Sequence, residues 1–392
     1  MEKVSPTIII VGITGDLSEK KLLPALYGLA ERGLLGDTTR IIGTSRRSLS
    51  NEDILPKLSK DPGDTTLDWL DHHLTTITAD PGTLEGARTL ADYVKDDDNM
   101  RLFYFSIPPN TFENVITSMA EASLNGERDY LLVEKPFGRS GSTAKKLHDL
   151  TDRHYSEANI YRVDHYLAKP GVRSISESGA LILDPRRILS LDIRSDEALD
   201  IEGRADFYEQ AGALRDVIQS HLLQVLALCM SAYKAHTTGA IHQDLKARVL
   251  EDLEVLGAFR AQYAGYRDEA NNPESYIETY AALELTSSDH AWRDVRITVR
   301  SGKALPAKKS DITVTFADKT THVFDMNDNP AHILDGYEQV LYDAAQSNRS
   351  LFLSARDVDE SWRIVDPTLE SWARNGSGLA YYKKGTIPAT TI

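Results

Sequence analysis

Residues 7–33 read TIIIVGITGDLSEKKLLPALYGLAERG, and the order of chemistry within them decides the fold. The run TIIIVG is short, β-branched and apolar throughout, the pattern of a buried strand. SEKKLLPALYGLAERG follows with Leu and Ala at helical spacing. Between the two stand Gly12, Ile13, Thr14, Gly15, Asp16 and Leu17. The paired glycines let the backbone turn tightly and approach a phosphate, and the helix start supplies unpaired N–H groups. Glycine pairs also occur in plain turns; the strand–turn–helix setting is what points to a dinucleotide.

The same grammar continues on the C-terminal side. RIIGTS (40–45), RLFYFSIPP (101–109) and RDYLLVEKPFG (128–138) read as further strands, and helical patterns follow the last two, at 111–124 and about 143–154. Strands alternating with helices imply βαβ units, hence an α/β Rossmann-like domain with a doubly wound parallel sheet. After residue 161 the pattern changes. RILSLDIRS (187–195) precedes one long apolar helix, 211–230, and strand candidates then follow closely at 259–266, 276–285, 294–302, 311–316 and 322–326. Helices at 336–346 and 359–372 close the chain. Successive strands point to an α+β domain with a large, mainly antiparallel sheet. The expected division is a nucleotide-binding domain at 1–160 and a substrate-binding and dimerisation domain at 161–392.

Composition narrows the function. The 392 residues carry 44 Lys+Arg against 59 Asp+Glu, a net charge of −15, so nucleic acid and anionic lipid surfaces are poor partners. No apolar run approaches the roughly 18 residues of a membrane helix, and MEKVSPTIIIVG lacks a basic, cleavable leader, so a cytoplasmic protein is expected. The single cysteine, Cys229, lies in the apolar run LALCMSAY and reads as a buried thiol. No HExxH occurs, and His72-His73 has only Asp71 beside it, so no metal is expected. Asp96, Asp97 and Asp98 read as a solvated turn.

Three segments carry chemistry. At the end of the second strand, Gly43-Thr44-Ser45-Arg46-Arg47-Ser48 has no acid to hold the ribose hydroxyls of NAD. Its hydroxyls and guanidiniums suit a 2′-phosphate, since Arg binds phosphate through two parallel hydrogen bonds; a solvated basic turn is the alternative. NADP is favoured. Glu134-Lys135-Pro136-Phe137-Gly138 ends a parallel strand, where α/β folds place ligands. Arg162-Val163-Asp164-His165-Tyr166-Leu167-Ala168-Lys169 packs polar groups densely; if the chain turns helical there, His165 and Lys169 share a face with Tyr166 nearby, making an anion pocket. His221 lies inside the long apolar helix, where a lone His is usually a core residue. Asp216, five residues earlier, falls about 140° away on an ideal helix, so spacing alone does not join the two.

Taken together, GITGDLSEKKLLPAL, RLFYFSIPP, LLVEKPFG, YRVDHYLAK, AGALRDVIQSHLLQ, VRSGKAL and SWRIVDPTLESW resemble the glucose-6-phosphate dehydrogenase family, in the family's order. The resemblance implies NADP-linked oxidation of glucose 6-phosphate to 6-phosphoglucono-1,5-lactone. It implies His221 as the general base on the C1 hydroxyl, Asp164 as the carboxylate that orients it, and Lys135 as a contact to both the C1 hydroxyl and the nicotinamide. His165, Tyr166, Lys169 and Lys303 match the phosphate-binding group, with Lys308 in reach of it. Glu197 and Asp216 match acids that hold sugar hydroxyls. The implied cofactor contacts are the 12–17 loop, Ser45, Arg46, Arg47, Pro108, Lys135 and Pro136. The chain departs from the family in several places. DHYLAK stands for DHYLGK, Pro170 replaces an acid, Ala307-Lys308 replaces a Glu-Arg pair, and the stretch between Ser310 and Gly336 is short. Part of the large sheet is therefore expected to be missing, leaving one NADP per chain in a homodimer with a reduced interface. Oxidation of another hexose phosphate and a catalytically silent sugar-phosphate binder are the competing readings.

Overall fold

The computed structural model describes residues 1–58, 64–177, 179–240, 242–330, 333–375 and 378–389. It divides into two compact units. The first comprises Met1–Phe137, Lys145–Ala168 and Leu334–Ser354; the second comprises Gly138–Ala144, Lys169–Ile333 and Ala355–Ile392. A single cut after residue 160 was expected. Instead the helix Gly336–Ala345 buries Val340, Leu341 and Ala344 in the same core as Leu23, Leu26 and Leu29 of the first unit. An amphipathic pattern reveals that a helix has an apolar face, not which sheet will cover it.

In the first unit, β1 (Thr7–Val11), β2 (Arg40–Ser45), β3 (Leu74–Thr78), β4 (Arg101–Phe105), β5 (Asp129–Glu134) and β6 (Ile160–Val163) form one sheet in the order β3-β2-β1-β4-β5-β6. Every pairing is parallel. The order reverses at β1, so the crevice beyond the ends of β1 and β4 is the switch point where such sheets bind ligands. β1 is central and fully buried, as its apolar run requires, and Ile8, Ile9 and Ile10 each contribute about 1.5–3 kcal/mol by leaving water. β3 and β6 escaped the reading of the sequence. One is a half-exposed edge strand rich in Thr, and the other is only four residues long. The 96–98 acids are not merely a solvated turn. Asp97 is buried and accepts from Thr7 Oγ1 at 2.6 Å and Arg40 Nη1 at 2.8 Å, tying the start of β1 to β2.

The second unit holds a seven-stranded sheet: β7 (Ile188–Asp196), β8 (Leu253–Tyr263), β9 (Tyr280–Ser287), β10 (Arg296–Gly302), β11 (Lys309–Phe316), β12 (Thr321–Asp325) and β13 (Leu379–Tyr382). Its order is β12-β11-β7-β10-β9-β8-β13. The pairings are antiparallel except β10 with β7 and β13 with β8, as the expected α+β class allows. Cys229 is wholly buried, and desolvation raises its thiol. Among the described residues no helix is long and apolar enough to cross a membrane.

The expected single helix over 211–230 is three segments: Ala205–Ala213, a π-helical stretch Leu214–Leu222, and Leu223–Thr238. Gly212 makes the break with φ +66. The buried carboxylate of Glu278 lies against it, accepting the Leu214 N–H at 3.0 Å; a Cβ on Gly212 would sit 2.3 Å from Glu278 Oε1. Gly212→Ala is therefore expected to lower the unfolding free energy by about 2–4 kcal/mol, from positive φ and overpacking together. Urea unfolding measures it, and an unchanged midpoint would mean the π segment does not depend on this break.

Candidate active site

The cofactor half is built on the first unit. Gly12 adopts φ +89, and a Cβ there would lie 2.7 Å from the Ser106 carbonyl and 2.8 Å from Ile107. Only glycine lets β1 pass so close to the end of β4. The Ile13 N–H donates to the Thr44 carbonyl at 3.0 Å, the Gly12 N–H to Thr44 Oγ1 at 3.2 Å, and the Ser18 N–H to Ser106 Oγ at 3.1 Å. The loop is thus held from both neighbouring strands. Beyond it the helix opens with a π turn, Ser18–Leu22, and Asp16 pairs with Lys20 at 2.8 Å.

Beside this loop lies a cavity of about 340 Å³ lined by Ile13, Thr14, Leu23, Arg47, Asp53 and Ile54, among others. Glycine loop and guanidinium meet there, with apolar walls suited to a flat ring system. Arg47 lines the cavity, whereas Arg46 is exposed outside its lining; Ser45 Oγ accepts the Arg47 N–H at 3.1 Å. Asp53 and Ile54 were not singled out from the sequence. They sit in short turns after β2, and their relation to the glycine loop is not local in the chain.

Lys135 and Pro136 follow β5 directly, joined by a cis peptide bond. Pro108 follows β4, its carbonyl accepting from Thr111. Asp164 follows β6 and is buried; its Oδ1 accepts the Tyr166 N–H at 2.9 Å, which fixes the turn carrying His165 and Tyr166. The segment does not become helical at His165, as the anion-pocket reading supposed. Residues 165–168 form a turn, and the helix begins at Pro170. His165 and Tyr166 still meet, with ring centroids 5.3 Å apart, and His165 stacks on Tyr337 with centroids at 5.9 Å and planes at 13°. Tyr337 escaped the sequence reading because it stands far along the chain.

Of the expected site residues, the second unit contains Lys169, Glu197, Asp216, His221, Lys303 and Lys308. The π segment packs against β7, β9 and β10. Its hydrogen bonds close from i to i+5, so residues five apart stand one above the other. The angular objection to Asp216 and His221 sharing a face, raised for an ideal helix, is therefore removed. His221 is 2% exposed, Asp216 half-buried. Lys303, expected among the phosphate contacts, is buried and paired with Glu197 at 2.6 Å, its ammonium 5.7 Å from the Tyr208 ring. Burial and the carboxylates of Asp216, Glu278 and Glu197 hold the Tyr208 hydroxyl well above its ordinary pKa, a phenol the sequence reading did not single out. Lys308 is exposed between β10 and β11.

The model of the family described as "Glucose-6-phosphate dehydrogenase, NAD binding domain" matches residues 9–174, and its C-terminal-domain counterpart matches 180–335 and 326–391. The glucose-6-phosphate 1-dehydrogenase of Helicobacter pylori strain J99 is 30% identical over 411 residues, covering 97% of this chain and 96% of that one. The solved structure of glucose-6-phosphate 1-dehydrogenase from Mycobacterium avium is 29% identical with a TM-score of 0.82, covering 97% of this chain and 95% of that one. A glucose-6-phosphate dehydrogenase solved in complex with its substrate glucose-6-phosphate gives 25% identity and a TM-score of 0.85, over 100% of this chain and 97% of that one.

Proposed function

This chain belongs to the glucose-6-phosphate dehydrogenase family, and we propose that it oxidises D-glucose 6-phosphate to 6-phospho-D-glucono-1,5-lactone with NADP+ as acceptor. The observation that carries the reading is the family match itself, which takes in both domain models and nearly the whole chain.

The reaction removes a hydride from C1 and a proton from the hydroxyl that C1 carries. NADP+ would be held by the 12–17 loop and Arg47 and would supply the acceptor for the C1 hydride. His221 takes the proton of the C1 hydroxyl as the C1–O bond becomes a carbonyl, an imidazole being suited to proton transfer near neutrality. Asp164 stabilises the imidazolium that results. Lys135 contacts the C1 oxygen and orients the nicotinamide end. His165, Tyr166 and Lys169 bind the phosphate. Asp216 and Glu197 hold sugar hydroxyls, the latter with Lys303 as its partner. The test is absorbance of NADPH with a panel of sugar phosphates; preference for a different hexose phosphate would overturn the substrate assignment.

The choice of NADP over NAD rests on Arg47, which lines the cavity beside the glycine loop. Arg47→Ala is expected to weaken NADP+ binding by about 1.5–3 kcal/mol, the range for hydrogen bonds to charged groups, and to spare NAD+. Arg46→Ala should do less. Equilibrium titration with both nucleotides checks it, and an unchanged NADP+/NAD+ ratio in the double variant would refute it. The same reading carries a homodimer with one NADP+ per chain.

A further inference from the structure

Three arginines from separate elements meet around one cavity of about 550 Å³ within the second unit. Arg215 comes from the π segment, Arg260 from β8, and Arg374 from the last turn of the helix Ala355–Asn375. Tyr276 and Trp372 supply aromatic walls, and Glu278 is the one carboxylate in the described lining. None of the residues assigned to the cofactor or the sugar lines this cavity.

Local packing accounts for part of the lining. Arg260 is 3% exposed; its Nη2 donates to the Trp372 carbonyl at 3.2 Å, and its guanidinium lies 5.3 Å from the Trp372 ring. It thereby caps a helix end whose carbonyls have no partner inside the helix. Glu278 is turned to the helix break: Oε1 accepts the Leu214 N–H, and both oxygens would lie within 2.8 Å of a Cβ on Gly212. Neither task falls to the other two arginines. Arg215 donates through Nε to the Arg139 carbonyl at 3.3 Å, and Arg374 is exposed. Among the described residues neither makes an ion-pair contact, although the Arg215 charge is felt by the Glu278 carboxyl. A chain of net charge −15 thus gathers a local surplus of positive charge here, the arrangement that draws an anion.

The walls narrow the class of anion. Guanidiniums bind phosphate through parallel hydrogen bonds, and the faces of Trp and Tyr stack on flat rings. Tyr276 is 55% exposed, with the Arg267 guanidinium 5.7 Å from its ring, so burial in a core does not account for its place. The volume falls in the range of small-molecule sites. We propose that this cavity binds a nucleoside phosphate, apart from the cofactor and the sugar, with Arg215 and Arg374 on the phosphates and Tyr276 and Trp372 beside the base.

Calorimetric titration of the full chain with ATP tests it, in the presence of saturating NADPH and glucose 6-phosphate. That pair cannot react and keeps the reaction sites filled. One ATP per chain is expected, and inorganic triphosphate and adenosine should each bind at least about fivefold more weakly. Arg215→Ala and Arg374→Ala should each weaken ATP binding by about 5- to 10-fold, and Tyr276→Ala should weaken ATP but not triphosphate. All three variants should bind NADPH within about twofold of the parent, because the sites are separate. Arg374 is exposed at a helix end, so its variant is decisive even if Arg215→Ala folds poorly. No ATP binding to the parent up to about 1 mM, or an unchanged ATP affinity in Arg374→Ala, would overturn the site. Triphosphate binding as tightly as ATP would overturn the nucleoside assignment.

Discussion

Replacing His221 by Asn is expected to slow turnover by about 10²- to 10⁴-fold with a small change in KM, the usual contribution of acid–base catalysis. Asn preserves polarity and approximate size in a position that is 2% exposed, so the π segment retains its packing on β7, β9 and β10. What it removes is the capacity to accept a proton. The C1 hydroxyl must then lose its proton to water as the hydride departs, at a much higher barrier. Rapid-mixing or steady-state NADPH absorbance measures the fall, and thermal unfolding beside it tests whether the fold is intact. Parent-like turnover in a folded Asn variant would return His221 to the role of a core histidine. Asp164→Asn should follow in the same direction with a smaller loss, since the base survives but loses the carboxylate that stabilises its charged form.

Removing the phosphate from the substrate is the second large effect. Unphosphorylated glucose is expected to show a kcat/KM lower than that of glucose 6-phosphate by about 10²- to 10⁴-fold, two hydrogen bonds to a charged group being lost at about 1.5–3 kcal/mol each. The phosphate is remote from C1, so its binding energy positions the reacting carbon rather than taking part in the chemistry. In a chain of net charge −15 a dianion needs a local cationic patch, the role proposed for His165 and Lys169 beside Tyr166. His165→Ala with Lys169→Ala should bring the two sugars close together. Comparable rates on both sugars in the parent would leave the pocket without a purpose.

Much of this molecule was legible before any coordinates. The apolar run at 7–11, the glycine pair and the alternation of strands with helices were sufficient for a doubly wound sheet, because a strand buried on both faces needs an unbroken apolar sequence. The proposals of NADP, from the arginines that stand where an acid would hold NAD, and of an anion pocket at 162–169 were drawn from local chemistry in the same way. These are properties of neighbouring residues, and sequence records neighbours faithfully.

Other features depend on which distant segments meet. Arg46 and Arg47 are equivalent on paper, yet of the two it is Arg47 that lines the cavity. Asp97 looked like solvent-facing charge until β1 and β2 brought Thr7 and Arg40 to it. The π geometry at 214–222 arises where Gly212 breaks the helix against Glu278, a residue about sixty positions away, and an ideal-helix rule could not anticipate it. Tyr337 and His165 lie about 170 residues apart and meet only when the helix from the C-terminal part of the chain folds back into the first unit. Periodicity, charge and local motif thus sufficed for the fold class and the family. Which side chains share a hydrogen bond or a ring stack was decided by tertiary packing, since contact energy depends on distance in space and not on separation along the chain.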